Sequence, residues 1–249
     1  MIPRTLEPEV MDTEQEAVDY DAMDHRAVNR VLVDDFLRTF GGTNFERRAT
    51  VPLPEGELRA PGQILDIGTG TAQIPIELLR RPVAKFLSVT AVDRAAHMLR
   101  IAAGNVLAAG LVGRIHLELA DAKRLPHPSG RFIAVMSNSI IHHIPEPLDA
   151  LSEMVRVLSR QGGILFVRDL VRPDDYAAVD RLVETYAGDA NGRQQAMFRA
   201  SLCASLTLDE VRDLLRKLNL PVEWASQTSD RHWTISNWLV TPDEPTDAT

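Results

Sequence analysis

The chain has 249 residues, 45% hydrophobic and 25% charged, with a formal net charge of −8. That is the balance of an ordinary globular protein of one large domain, or of a domain with an added cap. The acidic balance argues against a general phosphate-backbone binder, which needs clustered Lys and Arg, so nucleic acid is not an expected partner. Cys203 is the only cysteine, which excludes an intrachain disulfide and a Cys-based zinc cluster; no metal site is expected.

The first residues, MIPRTLEPEVMDTEQE, are acidic and lack the positive start and apolar block of a signal peptide. No apolar run approaches the roughly 18 residues of a membrane helix. The expectation is a cytoplasmic protein without a membrane span. Residues 1–12 carry Pro3, Pro8 and several acids and are expected to stay flexible. From Thr13 apolar residues recur at helical spacing (Ala17, Val18, Met23, Val28, Val31, Leu32, Phe36, Phe40) until Gly41-Gly42 stops them. With a Pro- and Gly-bearing linker behind it, this gives a helical cap over 13–60.

The pattern then alternates. QILDIG reads as a buried strand and TAQIPIELLRR as a helix. FLSVTAVD is a strand, and AAHMLRIAAGNVLAAG a helix closed by Gly110. RIHLELAD and RFIAVMSNS are strands, EPLDALSEMVRVLSRQGG is a helix with a glycine stop, and GILFVRDL is a strand. Strands alternating with helices imply a parallel sheet with right-handed crossovers. Residues 174–218 read as two or three helices with a break near Gly188–Gly192. PVEWASQT and HWTISNWLV follow as an antiparallel pair at the sheet edge. The main domain is placed at 61–240, with 174–218 as a helical insertion, and 241–249 is expected to be disordered.

Asp66-Ile67-Gly68-Thr69-Gly70-Thr71-Ala72-Gln73 lies at the first strand-to-helix turn. A dinucleotide fingerprint, G-x-G-x-x-G, would need glycine at 73, where Gln73 stands. The frame acid-x-G-x-G-x-G fits Asp66, Gly68 and Gly70, with Ala72 in the last place. That frame resembles the first motif of class I S-adenosylmethionine-dependent methyltransferases. An acid at the strand end suits a ligand with an ammonium and a sulfonium, and suits a pyrophosphate poorly. A tight turn without ligand is the plain alternative. Asp93 ends the next strand, where a carboxylate can accept from both ribose hydroxyls; an N-cap is its alternative role. The resemblance implies that Asp121 accepts from the adenine amine and that Ala122 offers its backbone N–H, with a simple turn as the alternative for Asp121.

The resemblance covers roughly residues 60–170 and departs from the family pattern at Ala72, Arg94 and Gln161. It implies a Rossmann-like α/β fold: a seven-stranded, mostly parallel sheet with an antiparallel last strand, helices on both faces, and the N-terminal helical cap. It implies S-adenosyl-L-methionine as cofactor, S-adenosyl-L-homocysteine as product and a small-molecule methyl acceptor. The stretches SNSIIHHI and EMVRVLSRQGGILFVRDLVRP look most like the branch containing quinone-biosynthesis enzymes. The expected cofactor set is Asp66, Gly68, Thr69, Gly70, Asp93, Arg94, Asp121, Ala122, Asn138, Ser139 and Tyr20. His143 and His142, just past the fourth strand, are candidate bases for a phenol or hydroxyl, or plain packing residues. His25, Arg168, Asp169 and Arg231 are the substrate-side candidates, although Arg168 and Asp169 could simply pair with each other. Other readings carried by the same residues are a non-catalytic holder of the cofactor, an RNA or protein methyltransferase, and an NAD-dependent oxidoreductase.

Overall fold

Four runs of the chain are apolar on both faces, the pattern of strands covered by helices on either side. In the computed structural model, which describes residues 2–10, 12–39, 62–160 and 162–236, these runs form the middle of a seven-stranded sheet. They are β1 (Gly62–Ile67), β2 (Leu87–Asp93), β4 (Ala134–Asn138) and β5 (Ile164–Leu170). β3 (Ile115–Leu119) is half-exposed and lies at one edge. β6 (Ala225–Gln227) and β7 (His232–Ser236) complete the other side. The order is β3-β2-β1-β4-β5-β7-β6, with β7 antiparallel to both neighbours, as the fold expectation had it.

Alternation along each strand feeds two cores. Ile64, Val89, Ala134, Met136 and Phe166 face α2 (Arg26–Thr39), α3 (Gln73–Leu79) and α4 (Ala96–Ala108). Leu65, Val135, Leu165 and Val167 face α5 (Pro147–Val157) and α8 (Leu208–Lys217), with Trp233 fully enclosed beside them. Each large side chain so buried stabilises the fold by roughly 1.5–3 kcal/mol. Phe36 of α2 meets Phe166 of β5 edge to face at 5.7 Å, fixing the cap helix onto the sheet. Helix starts are specified locally: Pro147 opens α5, and Thr207 with Glu210 forms a capping box on α8.

Residues 174–218 hold three helices, α6 (Tyr176–Ala187), α7 (Gly192–Ala204) and α8, with the break at 188–191. The cap differs from the single run read in the sequence. It is two helices, α1 (Glu14–Asp21) and α2, because Asp24 accepts from the Arg26 amide and offers the backbone an alternative to the helical bond. PVEWASQT begins as a 3-10 turn at Val222–Trp224 and becomes extended only at Ala225. Residues 2–10, expected to be flexible, form a strap against the domain. Ile2 is buried with Leu170, Val179 and Leu202. The Arg4 guanidinium donates to the carbonyls of Ala204, Pro145, His142 and Ile144. Phe40, Gly41-Gly42, most of the linker to residue 61, Gln161, the end of HWTISNWLV and the 241–249 tail lie outside the described residues.

Candidate functional site

A parallel sheet gathers its loops at the carboxyl ends of the strands, and a ligand cleft belongs there. The ends of β1, β2, β3 and β4 form such a cleft, with about 820 Å³ of free space, open mouth included. Its floor is the loop after β1. Gly68, Gly70 and Ala72 have φ of 73°, 54° and 63°, the left-handed region where a Cβ is costly. The frame chosen in the sequence therefore marks three left-handed positions, and Ala72 adopts the same backbone as the two glycines. At Gly68 the need is also steric: an added Cβ would lie 2.1 Å from Ile140 Cγ2.

Asp93 holds that loop. Its Oδ2 accepts from the Gly70 amide at 2.7 Å, and its Oδ1 accepts from the Ala95 amide at 2.8 Å. It is not the cap of α4, whose N-cap is Ala95. Each oxygen keeps a second lone pair, and Asp93 lines the cleft. Burial lifts its carboxyl above the usual carboxylate range. Asp66 ends β1 behind the loop and is only 2% exposed, and its Oδ2 has no hydrogen-bond partner. Burial, with the Asp93 charge adding to it, pushes Asp66 from 3.8 up to about 7. Thr69 is also behind the surface, and its hydroxyl is likewise unpartnered. A buried carboxylate with one oxygen left unpartnered fits a cationic, hydrogen-bonding group better than a phosphate.

Asp121 and Ala122 line the opposite wall, where Asp121 Oδ1 accepts from the Lys123 amide. Asp121 thus makes the turn contact while also facing the cleft. Arg94 lies 3.0 Å from Glu9 and 3.8 Å from Asp121. Asn138 and Ser139 close the far end, and Ser139 has φ of 56°, a strained conformation for a non-glycine residue at a strand exit. Tyr20 of α1 roofs the loop, its ring 3.4 Å from where a Gly70 Cβ would stand. Burial and the nearby Asp93 and Asp66 push its hydroxyl up to about 12.

The two histidines separate. His143 lines the cleft; His142, next to it on a 3-10 turn (Ile141–His143), does not. His142 Nδ1 lies 2.6 Å from Asp169 Oδ1, and its Nε2 lies 3.3 Å from Glu7. Burial lowers the His142 ring, but Asp169 and Glu7 outweigh it and hold it above its usual value. His143 is pushed down to about 4 by burial and by His142, so its ring is neutral at pH 7. Arg168 and Asp169 do not pair with each other, because successive residues of a strand point to opposite faces. Arg168 donates to Asp35 of α2 at 2.7 Å and to Thr234 at 2.9 Å, whereas Asp169 accepts from the Ile141 and His142 amides. Neither lines the cleft. His25 packs on Tyr20, and Arg231 stacks on the Tyr186 ring 3.4 Å away; both are outside the cleft.

Nine of the eleven expected cofactor residues thus meet on one surface, while the four substrate-side residues do not. Sequence reading missed Glu9 and Val10 of the strap, which reach the cleft by tertiary docking alone. It also missed Met98, one turn into α4, which helical spacing from Ala95 could have found.

A family profile described as a methyltransferase domain matches residues 64–162. The chain is 29% identical over 182 residues to a 27-O-demethylrifamycin SV methyltransferase of Amycolatopsis mediterranei, covering 73% of this chain and 61% of that protein. It is 29% identical over 154 residues to the ubiquinone/menaquinone biosynthesis C-methyltransferase UbiE of Geotalea daltonii, covering 61% of each. The chain therefore spans about three fifths of the length of these curated relatives. A solved SAM-dependent methyltransferase from Aquifex aeolicus superimposes over 90% of this chain and 97% of its own, with a TM-score of 0.60 at 17% identity, a likeness of fold.

Proposed function

We propose that the chain, whose residues 64–162 match a methyltransferase-domain profile, is a class I S-adenosylmethionine-dependent methyltransferase that moves a methyl group to a small-molecule oxygen, carbon or nitrogen nucleophile by in-line displacement. The observation that supports this most is the cleft at the carboxyl edge of the sheet, with Asp93 on its wall and the unpartnered Asp66 behind its loop. S-adenosylmethionine, when bound, supplies an electrophilic methyl group on a cationic sulfur.

The chain's own residues then have distinct tasks. Asp66 and Thr69 attract the ammonium end through the loop, and Gly68 and Gly70 let the ligand approach the backbone. Asp93 accepts from the ribose hydroxyls. Asp121, Ala122 and Arg94 surround the adenine, and Asn138 and Ser139 flank the amino-acid part. Tyr20 excludes water from above. Alignment does most of the catalytic work. His143 lines the cleft with its ring neutral at pH 7, its Nδ1 buried against Glu7, and shapes the wall beside the acceptor. Arg168 and Asp169 act indirectly, by anchoring α2 and by holding His142. The helices at 174–218 supply the acceptor side, residues 13–60 the cap, and 61–240 the cofactor domain.

The relatives named for 27-O-demethylrifamycin SV and for a quinone-biosynthesis C-methylation support a small organic acceptor rather than nucleic acid. No helix among the described residues is long and apolar enough to cross a membrane, which is compatible with a cytoplasmic setting. The test is incubation with methyl-labelled cofactor and a panel of phenols, carbon acids and amines. Label should pass to a small acceptor as S-adenosylhomocysteine accumulates. Binding without any transfer across the panel would favour a non-catalytic holder instead.

A further inference from the structure

The strap brings a carboxylate to the two histidines that the chain places side by side. Glu7 Oε1 lies 3.3 Å from His142 Nε2 and 3.2 Å from His143 Nδ1, and the three candidate ligand atoms all lie within 4.8 Å of one another. The two distances from Glu7 match the edge of a tetrahedron with metal–ligand bonds of about 2.0–2.1 Å, which is about 3.3 Å. They are longer than a charge-assisted hydrogen bond, about 2.7–2.9 Å. His143 Nδ1 is buried with no hydrogen-bond partner.

The second ring nitrogens are already engaged. His142 Nδ1 meets Asp169 Oδ1 at 2.6 Å, so in the neutral ring that nitrogen carries the proton and Nε2 turns its lone pair toward the Glu7 carboxylate. The His143 ring bonds to the Pro8 backbone, whose only polar group is a carbonyl; with Nδ1 unpartnered, Nε2 is the donor and Nδ1 holds the lone pair. Two ring nitrogens and one carboxylate then converge, a donor set that a divalent cation can bridge in place of a ring proton. Asp169 behind His142 is the outer carboxylate that commonly orients a ligating histidine. Ser201 donates to Glu7 Oε1 at 3.1 Å, and Arg4 anchors the strap by donating to the Pro145 and His142 carbonyls, holding Glu7 in place.

We infer that Glu7, His142 and His143 form a binding site for a divalent transition-metal ion of the zinc type, with Asp169 as the outer-shell partner. Two nitrogens and one carboxylate oxygen suit Zn²⁺ better than Mg²⁺ or Ca²⁺. Three protein ligands leave a fourth position for water or for an acceptor oxygen. Because His143 also lines the cleft, the ion lies in its wall. Holding and acidifying an acceptor hydroxyl is the use of such an ion; that use, unlike the binding itself, rests on the methyltransferase reading.

The experiment titrates Co²⁺ into chelator-treated, tag-free protein and reads the ligand-field absorption. The full chain should bind one Co²⁺ with the intense visible bands of a tetrahedral site, and Zn²⁺ should displace it. Glu7→Gln and His143→Ala should each weaken binding by about 10-fold or more, while His116→Ala, at an exposed histidine of the edge strand, should not. Circular dichroism confirms that each variant is folded. Absence of a Co²⁺ spectrum in the wild-type chain, or equal binding by the Glu7 and His143 variants, overturns the site. Calorimetry with S-adenosylhomocysteine on the same samples separates the two claims. Retained nucleoside binding with no Co²⁺ spectrum sinks only the metal site, and the reverse sinks only the methyltransferase reading.

Discussion

Gly68 shows how one missing methyl group shapes the cleft. Alanine there must adopt a φ of 73° and must also displace Ile140, whose Cγ2 would be 2.1 Å away. The backbone part costs about 1–2 kcal/mol and the overlap about 1–3 kcal/mol. Gly68→Ala should therefore be strongly destabilising in urea unfolding, and adding Ile140→Ala should recover the steric share but not the backbone share. Strict additivity of the two changes would show that Ile140 is not the obstacle. Asp66 gives a second residue-scale prediction. Its folded carboxyl titrates near 7 rather than 3.8, so its favourable contribution to folding is complete below about 3.8 and is lost as pH rises through about 7. Asp66→Asn removes the buried charge. In ligand-free protein its Tm should exceed that of wild type by more at about pH 8 than at about pH 5, while its affinity for S-adenosylhomocysteine falls. A Tm difference independent of pH would show that Asp66 is not ionising in the interior.

At the scale of elements, the strap joins parts that are distant in sequence. It docks Ile2 and Thr5 on the α7 side, passes Glu7 behind His143, and brings Glu9 to Lys123 and Arg94. Asp12 then meets the His97 amide at 3.0 Å on α4. Arg4 is the central fastening, and its loss removes charge-assisted bonds to four carbonyls. Arg4→Ala should raise amide exchange over residues 3–10 by about 10-fold or more while the sheet keeps its protection. A rise across the whole sheet would instead make Arg4 part of the global core. None of this was legible in MIPRTLEPEV, whose acids and prolines read as loose because their partners lie up to 200 residues away. The central strands were legible, since burial on both faces leaves unbroken apolar runs. The division of the cap was not: Val18, Met23 and Val28 keep helical spacing across a break that Asp24 makes.

Across the whole molecule, the parallel sheet turns separate motifs into one site. Gly68, Asp93, Asp121 and Asn138 lie at the carboxyl ends of four different strands, and parallel order brings all four to one edge. Their type and spacing could be read directly because each sits at a strand end. The acceptor side could not, because Arg168 and Arg231 were judged by chain position, whereas strand alternation and ring stacking send them elsewhere. The central claim is that this edge is built for a cationic nucleoside ligand. Isothermal titration of the full chain with S-adenosylhomocysteine tests it most directly, with NAD as the competing ligand. One S-adenosylhomocysteine should bind per chain, Asp93→Ala should weaken it by several-fold or more, and NAD should give no binding heat. A folded wild-type chain that ignores S-adenosylhomocysteine, or that binds NAD in its place, would contradict the account.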